Sequence, residues 1–77
     1  VYFQRQLRHG EYKYCAHLDD SHELYDLAAD PFELNNLIDD SALAEVLADM
    51  RIRLQKWMVQ TGDDSPDALK LLTQMGF

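Results

Sequence analysis

Three side chains in the first third of the chain have the chemistry of a metal site: Cys15, His17 and His22. A cysteine and a histidine two residues apart on a strand share a face, and His22 could approach across the following turn. Structural zinc takes four ligands, and only the turn aspartates Asp19 and Asp20 stand near enough in sequence to be a fourth. The expectation is therefore no metal, with these residues on a strand's outer face and in a turn. Ser21 and His22 are adjacent, so on extended chain they point apart, whereas a nucleophile and its base must touch. Asp63, Asp64 and Asp67 surround a helix start, where capping is the ordinary use; a calcium loop needs alternating ligands over a longer span. Gly10, Gly62 and Gly76 are too scattered to cradle a phosphate. Tyr2, Phe3, Tyr12, Tyr14 and Tyr25 could stack on sugars, but core and cross-strand packing is their usual role. Arg5, Arg8 and Lys13 read as scattered, solvated strand cations. No catalytic residue emerges.

Composition narrows the partners. The 77 residues carry 14 acidic and 7 basic side chains, a formal charge of −7. Nucleic acid is excluded, because phosphate binding needs clustered Lys and Arg to displace counterions. An anionic membrane surface is excluded on the same ground. No apolar run approaches the roughly 20 residues of a membrane-spanning helix, and no apolar stretch follows Val1 to mark a signal peptide. Cys15 is the only cysteine, so no internal disulfide forms, and a lone thiol suits either cytosol or periplasm. A chain this short buries about 60% of its unfolded surface. Together with the missing initiator Met, that suggests a fragment that leans on something larger.

The elements that must position these residues are α+β. Alternation of Tyr12, Tyr14, Ala16 and Leu18 with Lys13, Cys15 and His17 predicts a strand over 11–18. A less regular strand is expected over 1–8, with His9-Gly10 as the turn between, and a third over 23–27 after Asp19-Asp20-Ser21-His22. A small antiparallel sheet of three to four strands follows. Asp30-Pro31 makes a corner, and Pro31 at a first helical position predicts a short helix over 31–36. Leu43, Val46, Leu47, Met50, Leu54, Trp57 and Met58 form one apolar stripe, predicting a long helix over 41–61 laid across the sheet. Trp57 is expected to cover the sheet near the end of that helix. Asp39, Asp40 and Ser41 offer its caps, Asp49 and Arg53 form an i,i+4 pair, and Gly62 ends it. Ser65-Pro66 opens a last helix over 66–75, with a seam of Leu69, Leu72 and Met75.

One ordered series is more specific. Tyr12-Lys13, then Glu23-Leu24-Tyr25-Asp26-Leu27, then Asp30-Pro31-Phe32-Glu33-Leu34-Asn35-Asn36-Leu37 resembles the "yK", "ELYDL" and "DP-x-E-x-x-NL" of the sulfatase C-terminal subdomain. Leu54 to Asp63 is similar to the "L-x-x-W-L-x-x-T-x-D" that closes many bacterial members. The resemblance covers roughly 5–64, within the alkaline-phosphatase-like superfamily.

That resemblance implies a noncatalytic subdomain, 1–77, bracing a catalytic domain of a sulfuric ester hydrolase and bordering its substrate cleft. Arg8 and His9, in the first hairpin turn, are the rim residues it suggests, as donors to an anionic substrate. A parent enzyme would use formylglycine and calcium. This chain supplies neither, since Cys15 is followed by His17 and Asp19 where the formylglycine motif needs Pro and Arg. The chain reads as an excised subdomain or as a short gene product encoding an orphan one. Two alternatives stand beside this reading. One is the same subdomain from a phosphoester hydrolase. The other is a free-standing module that dimerises through Val1, Phe3, Ile38, Ile52, Val59 and Phe77.

Overall fold

The computed structural model describes residues 3–77. Three strands, β1 (Gln4–His9), β2 (Tyr12–His17) and β3 (Glu23–Asp26), form an antiparallel sheet in the order β1-β2-β3. A 3-10 turn (Ser41–Leu43) runs into α1 (Ala44–Gln60), and α2 (Pro66–Gln74) follows. The class is α+β, as the patterning predicts. None of the described helices is long and apolar enough to cross a membrane.

The hairpin between β1 and β2 is the tightest kind. His9 pairs with Tyr12, leaving Gly10 and Glu11 as a two-residue loop, with Gly10 at φ +58° where a II′ turn calls for glycine. On β2, Tyr14 and Ala16 turn to the helices and are fully buried. They meet Leu24 of β3, Met50, Leu54 and Met58 of α1, and Ala68, Leu71 and Met75 at the end of the chain. The spacing of Met50, Leu54 and Met58 is i, i+4, i+8, which keeps one narrow stripe on the sheet.

A side-chain cap closes the 3-10 turn that leads into α1, and a backbone motif closes the exit of α1; Leu43, at the N-cap of α1 itself, makes no side-chain cap bond. The Asp40 carboxylate accepts the Ala42 N–H at 3.0 Å, capping the entry. At the exit Gly62 takes φ +68°, Gly62 N–H reaches Val59 O, and Asp63 N–H reaches Met58 O. These are the paired bonds of a Schellman end. Ser65 Oγ accepts from Ala68 N–H to open α2, with Pro66 at its first turn. The Asp49–Arg53 pair forms at 2.7 Å.

Four expectations are corrected. Residues 31–36 are not a helix. Asp30 spends its carboxylate on Leu34 N–H (3.0 Å) and Asn35 N–H (2.9 Å), and Glu33 takes φ +56°, so the chain folds into a turn instead. Trp57 does not cover the sheet: it is 47% exposed, one residue round the helix from buried Met58. In α2 the buried seam is Ala68, Leu71 and Met75; Leu72 packs on its flank and Leu69 is exposed. Phe3 and Ile38 pack against the core rather than lying free for a partner. The calls on Val1 and Tyr2 lie outside the described residues.

Buried Tyr14 anchors a polar cluster at the edge of the core. Arg51 Nε donates to its hydroxyl at 3.2 Å, and the hydroxyl lies 2.7 Å from His22 Nδ1. Burial, and then the Arg51 charge, hold His22 below its ordinary pKa.

Two measurements follow from this packing. Leu54→Ala removes a fully buried side chain facing the sheet and is expected to cost about 2–5 kcal/mol in denaturant unfolding. Trp57→Ala, truncating a side chain half in solvent, should cost less; the reverse order would contradict the packing. Because the folded pKa of His22 lies below its unfolded value, stability is complete above about pH 6.5 and declines as pH falls through that value. In His22→Gln the urea midpoint should lose that slope between pH 7 and 5.

Candidate functional site

The hairpin end of the sheet carries the two residues suggested as a substrate rim. Arg8 pairs across the ladder with Lys13, and His9 with Tyr12. Successive side chains on a strand alternate, so Arg8 and His9 leave opposite faces of the sheet. Both are exposed, and the structure does not bring them together.

His9 sits on the helix side, lining an open groove of about 470 Å³ with Gly10, Tyr12, Val46 and Met50. Glu11, Glu45 and Asp49 complete that groove. Three carboxylates make it a poor seat for an anion. Arg8 sits on the outer face opposite Lys13, whose ammonium is already paired with Glu33. Among the described residues no ion pair engages Arg8.

Cys15 and His17 lie on the outer face of the sheet, as expected, but that face is closed to solvent around them. Both are buried, as is Tyr25. Glu23 holds the face together: one carboxylate oxygen accepts the Tyr25 hydroxyl and the other meets His17 Nε2. The Tyr25 hydroxyl first, then His17, hold Glu23 below the usual carboxylate range, and the same bond pushes Tyr25 up to about 12. Burial pushes the Cys15 thiol up, away from the thiolate a nucleophile or metal ligand requires.

Lys13 and Arg5 are likewise not free cations. Lys13 Nζ bonds Glu33 at 2.8 Å, tying the central strand to the turn after Asp30. Asn36 Oδ1 accepts from Leu24 N–H and Ile38 N–H, its amide donates to His22 O, and Leu37 N–H reaches Leu24 O. Residues 36–37 thus dress the free edge of β3. Arg5 makes a two-pronged contact with Asp63, Nε at 2.6 Å and the second nitrogen at 3.0 Å, and stacks over Phe3 at 4.1 Å. Asp63, expected as a helix cap, instead locks the end of α1 to β1; nothing in its local sequence pointed to a partner 58 residues away.

As a metal centre the first candidate does not assemble. His17 turns to Glu23 and His22 to Tyr14. Among the described residues no three of His, Cys, Asp and Glu stand close enough to hold an ion. The donor set does not fit calcium or formylglycine chemistry: the one thiol is buried, and the aspartates are dispersed into caps and ion pairs. Of the described tyrosines, Tyr14 and Tyr25 are buried and Tyr12 packs against the core.

Comparison with known proteins fits this geometry. An ulvan-active sulfatase of Formosa agariphila is 40% identical over 43 residues, which is 56% of this chain and 7% of that protein. A Delta 4,5-hexuronate-2-O-sulfatase of Bacteroides thetaiotaomicron is 36% identical over 61 residues, 78% of this chain and 13% of that protein. The chain therefore spans a small part of the curated relatives it matches. No solved structure matches. The family model described as N-sulphoglucosamine sulphohydrolase, C-terminal, matches residues 1–60, and the chain belongs to that sulfatase C-terminal family.

Proposed function

We propose that these residues form the noncatalytic C-terminal subdomain of a sulfuric ester hydrolase acting on sulfated sugars. They brace its catalytic domain, and the Arg8 side of the first hairpin borders the substrate cleft. The observation that carries this reading is where the motif side chains go. Lys13, Asp30, Glu33, Asn36 and Asp63 are all occupied in holding the fold, so the pattern serves architecture rather than chemistry. The sugar class comes from the matched relatives, an ulvan-active sulfatase and a hexuronate-2-O-sulfatase. Formylglycine and calcium would come from other parts of such a polypeptide.

A second reading rests on α1. Ile52 and Val59, seven residues apart, share a face away from the sheet and are exposed. In isolation this face offers a second copy an apolar strip, most simply as a two-fold dimer.

Three outcomes are expected. The purified 77-residue chain should not hydrolyse an aryl sulfate; turnover with contaminating enzyme excluded would overturn the noncatalytic assignment, and aryl phosphate hydrolysis by the full-length protein would favour a phosphoesterase parent. In the full-length enzyme Arg8→Ala should raise KM for a sulfated oligosaccharide on the order of fivefold with kcat unchanged, an exposed charge-assisted contact being worth about 1 kcal/mol. Sedimentation of the isolated chain should show dimer that Ile52→Glu abolishes; a monomer at high concentration would remove the second reading.

A further inference from the structure

The turn after Asp30 holds the two most exposed large apolar side chains among the described residues, Phe32 at 82% and Leu34 at 79%. Single exposed apolar residues need no explanation. This pair flanks Glu33, the residue held at φ +56°, whose carboxylate is fixed on Lys13 of the central strand. The Asp30 carboxylate takes the N–H groups of Leu34 and Asn35, Glu33 N–H reaches Asp30 O at 3.1 Å, and Asn36 pins the far side to β3. A left-handed backbone at a non-glycine residue is unfavourable and persists only where its surroundings over-determine it. Here those surroundings fix the backbone that presents Phe32 and Leu34 to solvent, so little backbone ordering entropy remains to be lost when they are covered.

We infer that Phe32 and Leu34 dock into an apolar hollow on the remainder of the sulfatase polypeptide; this rests on the bracing role proposed above. Two observations favour that occupant over a second copy. The relatives are covered to 7% and 13% of their lengths, so in a protein of that kind most of the chain lies outside these residues. An aromatic ring buries roughly 150–250 Å². With one leucine added, the pair stays well short of the roughly 800 Å² per partner of a stable interface between separate chains. Within one polypeptide the contact is intramolecular, and a high effective concentration lets so small a patch suffice.

The test is thiol accessibility. Phe32→Cys and Leu34→Cys place a reactive group at positions whose side chains make no core contact, while native Cys15 is buried and gives a slow background. Maleimide labelling should be fast in the 77-residue chain and slower by about tenfold or more in the full-length polypeptide, because each variant keeps one of the two apolar side chains and its burial contributes about a tenfold factor or more. Equal rates in the two overturn the inference. Protection that appears in the 77-residue chain alone as its concentration rises identifies a second copy as the occupant and overturns it too. Removing residues 1–77 from the full-length protein separates the two ideas. If removal lowers the melting temperature while both thiols label fast in the undeleted full-length variants, the bracing role stands and this docking surface is wrong. If removal changes nothing and the thiols label fast, both are wrong.

Discussion

A sheet has two faces, and the helices of this chain cover only one of them. β2 lies between two neighbours, with Tyr14 and Ala16 on one side and Cys15 and His17 on the other, and all four are buried. The helix side closes by ordinary apolar packing. The other side has to be closed with what the strands themselves carry, which includes a carboxylate, an imidazole and a phenol. Polar groups taken out of water are costly unless paired. Glu23 meets that condition by engaging both oxygens, and no buried side-chain nitrogen or oxygen among the described residues lacks a partner.

The family pattern becomes intelligible from this constraint. The lysine of "yK" and the glutamate of "DP-x-E" are two halves of one ion pair, Lys13 with Glu33. The aspartate before the proline caps the turn that delivers that glutamate, and the asparagine before the leucine supplies an acceptor to the exposed edge of β3. At the other end, the threonine of "T-x-D" bonds back to α1 through Thr61 Oγ1 to Trp57 O, and the aspartate clasps Arg5. The Lys13–Glu33, Asn36–Leu24 and Asp63–Arg5 contacts join segments distant in sequence, while Asp30 and Thr61 close local turns. A short domain without disulfides needs such clasps, because its core alone is small.

Elements with a clean period were legible in the sequence: β2 from strict alternation, α1 from its stripe, and the exit of α1 from Gly62. What was not legible depended on contacts rather than period. The turn over 31–36 has a proline where a helix wants one, but Asp30 was free to bond two N–H groups at once and did so instead of capping a helix. Trp57 belongs to the apolar stripe by spacing, yet the face that meets the sheet is Met50, Leu54 and Met58, and Trp57 lies one residue round from it. Cys15 and His17 were assigned to an outer face correctly; that this face would be closed could not be read from β2, because Tyr25 and Glu23 come from a different strand. The two residues suggested for a rim are kept apart for a local reason. Arg8 and His9 are neighbours in sequence, and neighbours on a strand face opposite ways.

That alternation also organises the surface by charge. On the helix side, His9 opens onto Glu11, Glu45 and Asp49, a groove that repels anions. On the outer side Arg8 stands opposite Lys13, Lys13 reaches Glu33, and Glu33 separates Phe32 from Leu34. Arg8, which no ion pair engages among the described residues, is thus connected to the turn that carries the apolar pair through its neighbour Lys13 and the Lys13–Glu33 bond. In the proposed arrangement a single orientation serves two purposes: the apolar pair seats the subdomain, and the seated subdomain carries Arg8 toward the cleft. A chain carrying a charge of −7 would otherwise drive a sulfated substrate away. Directing its acidic groove outward and its cation inward is the orientation in which this subdomain can border an anion-binding site.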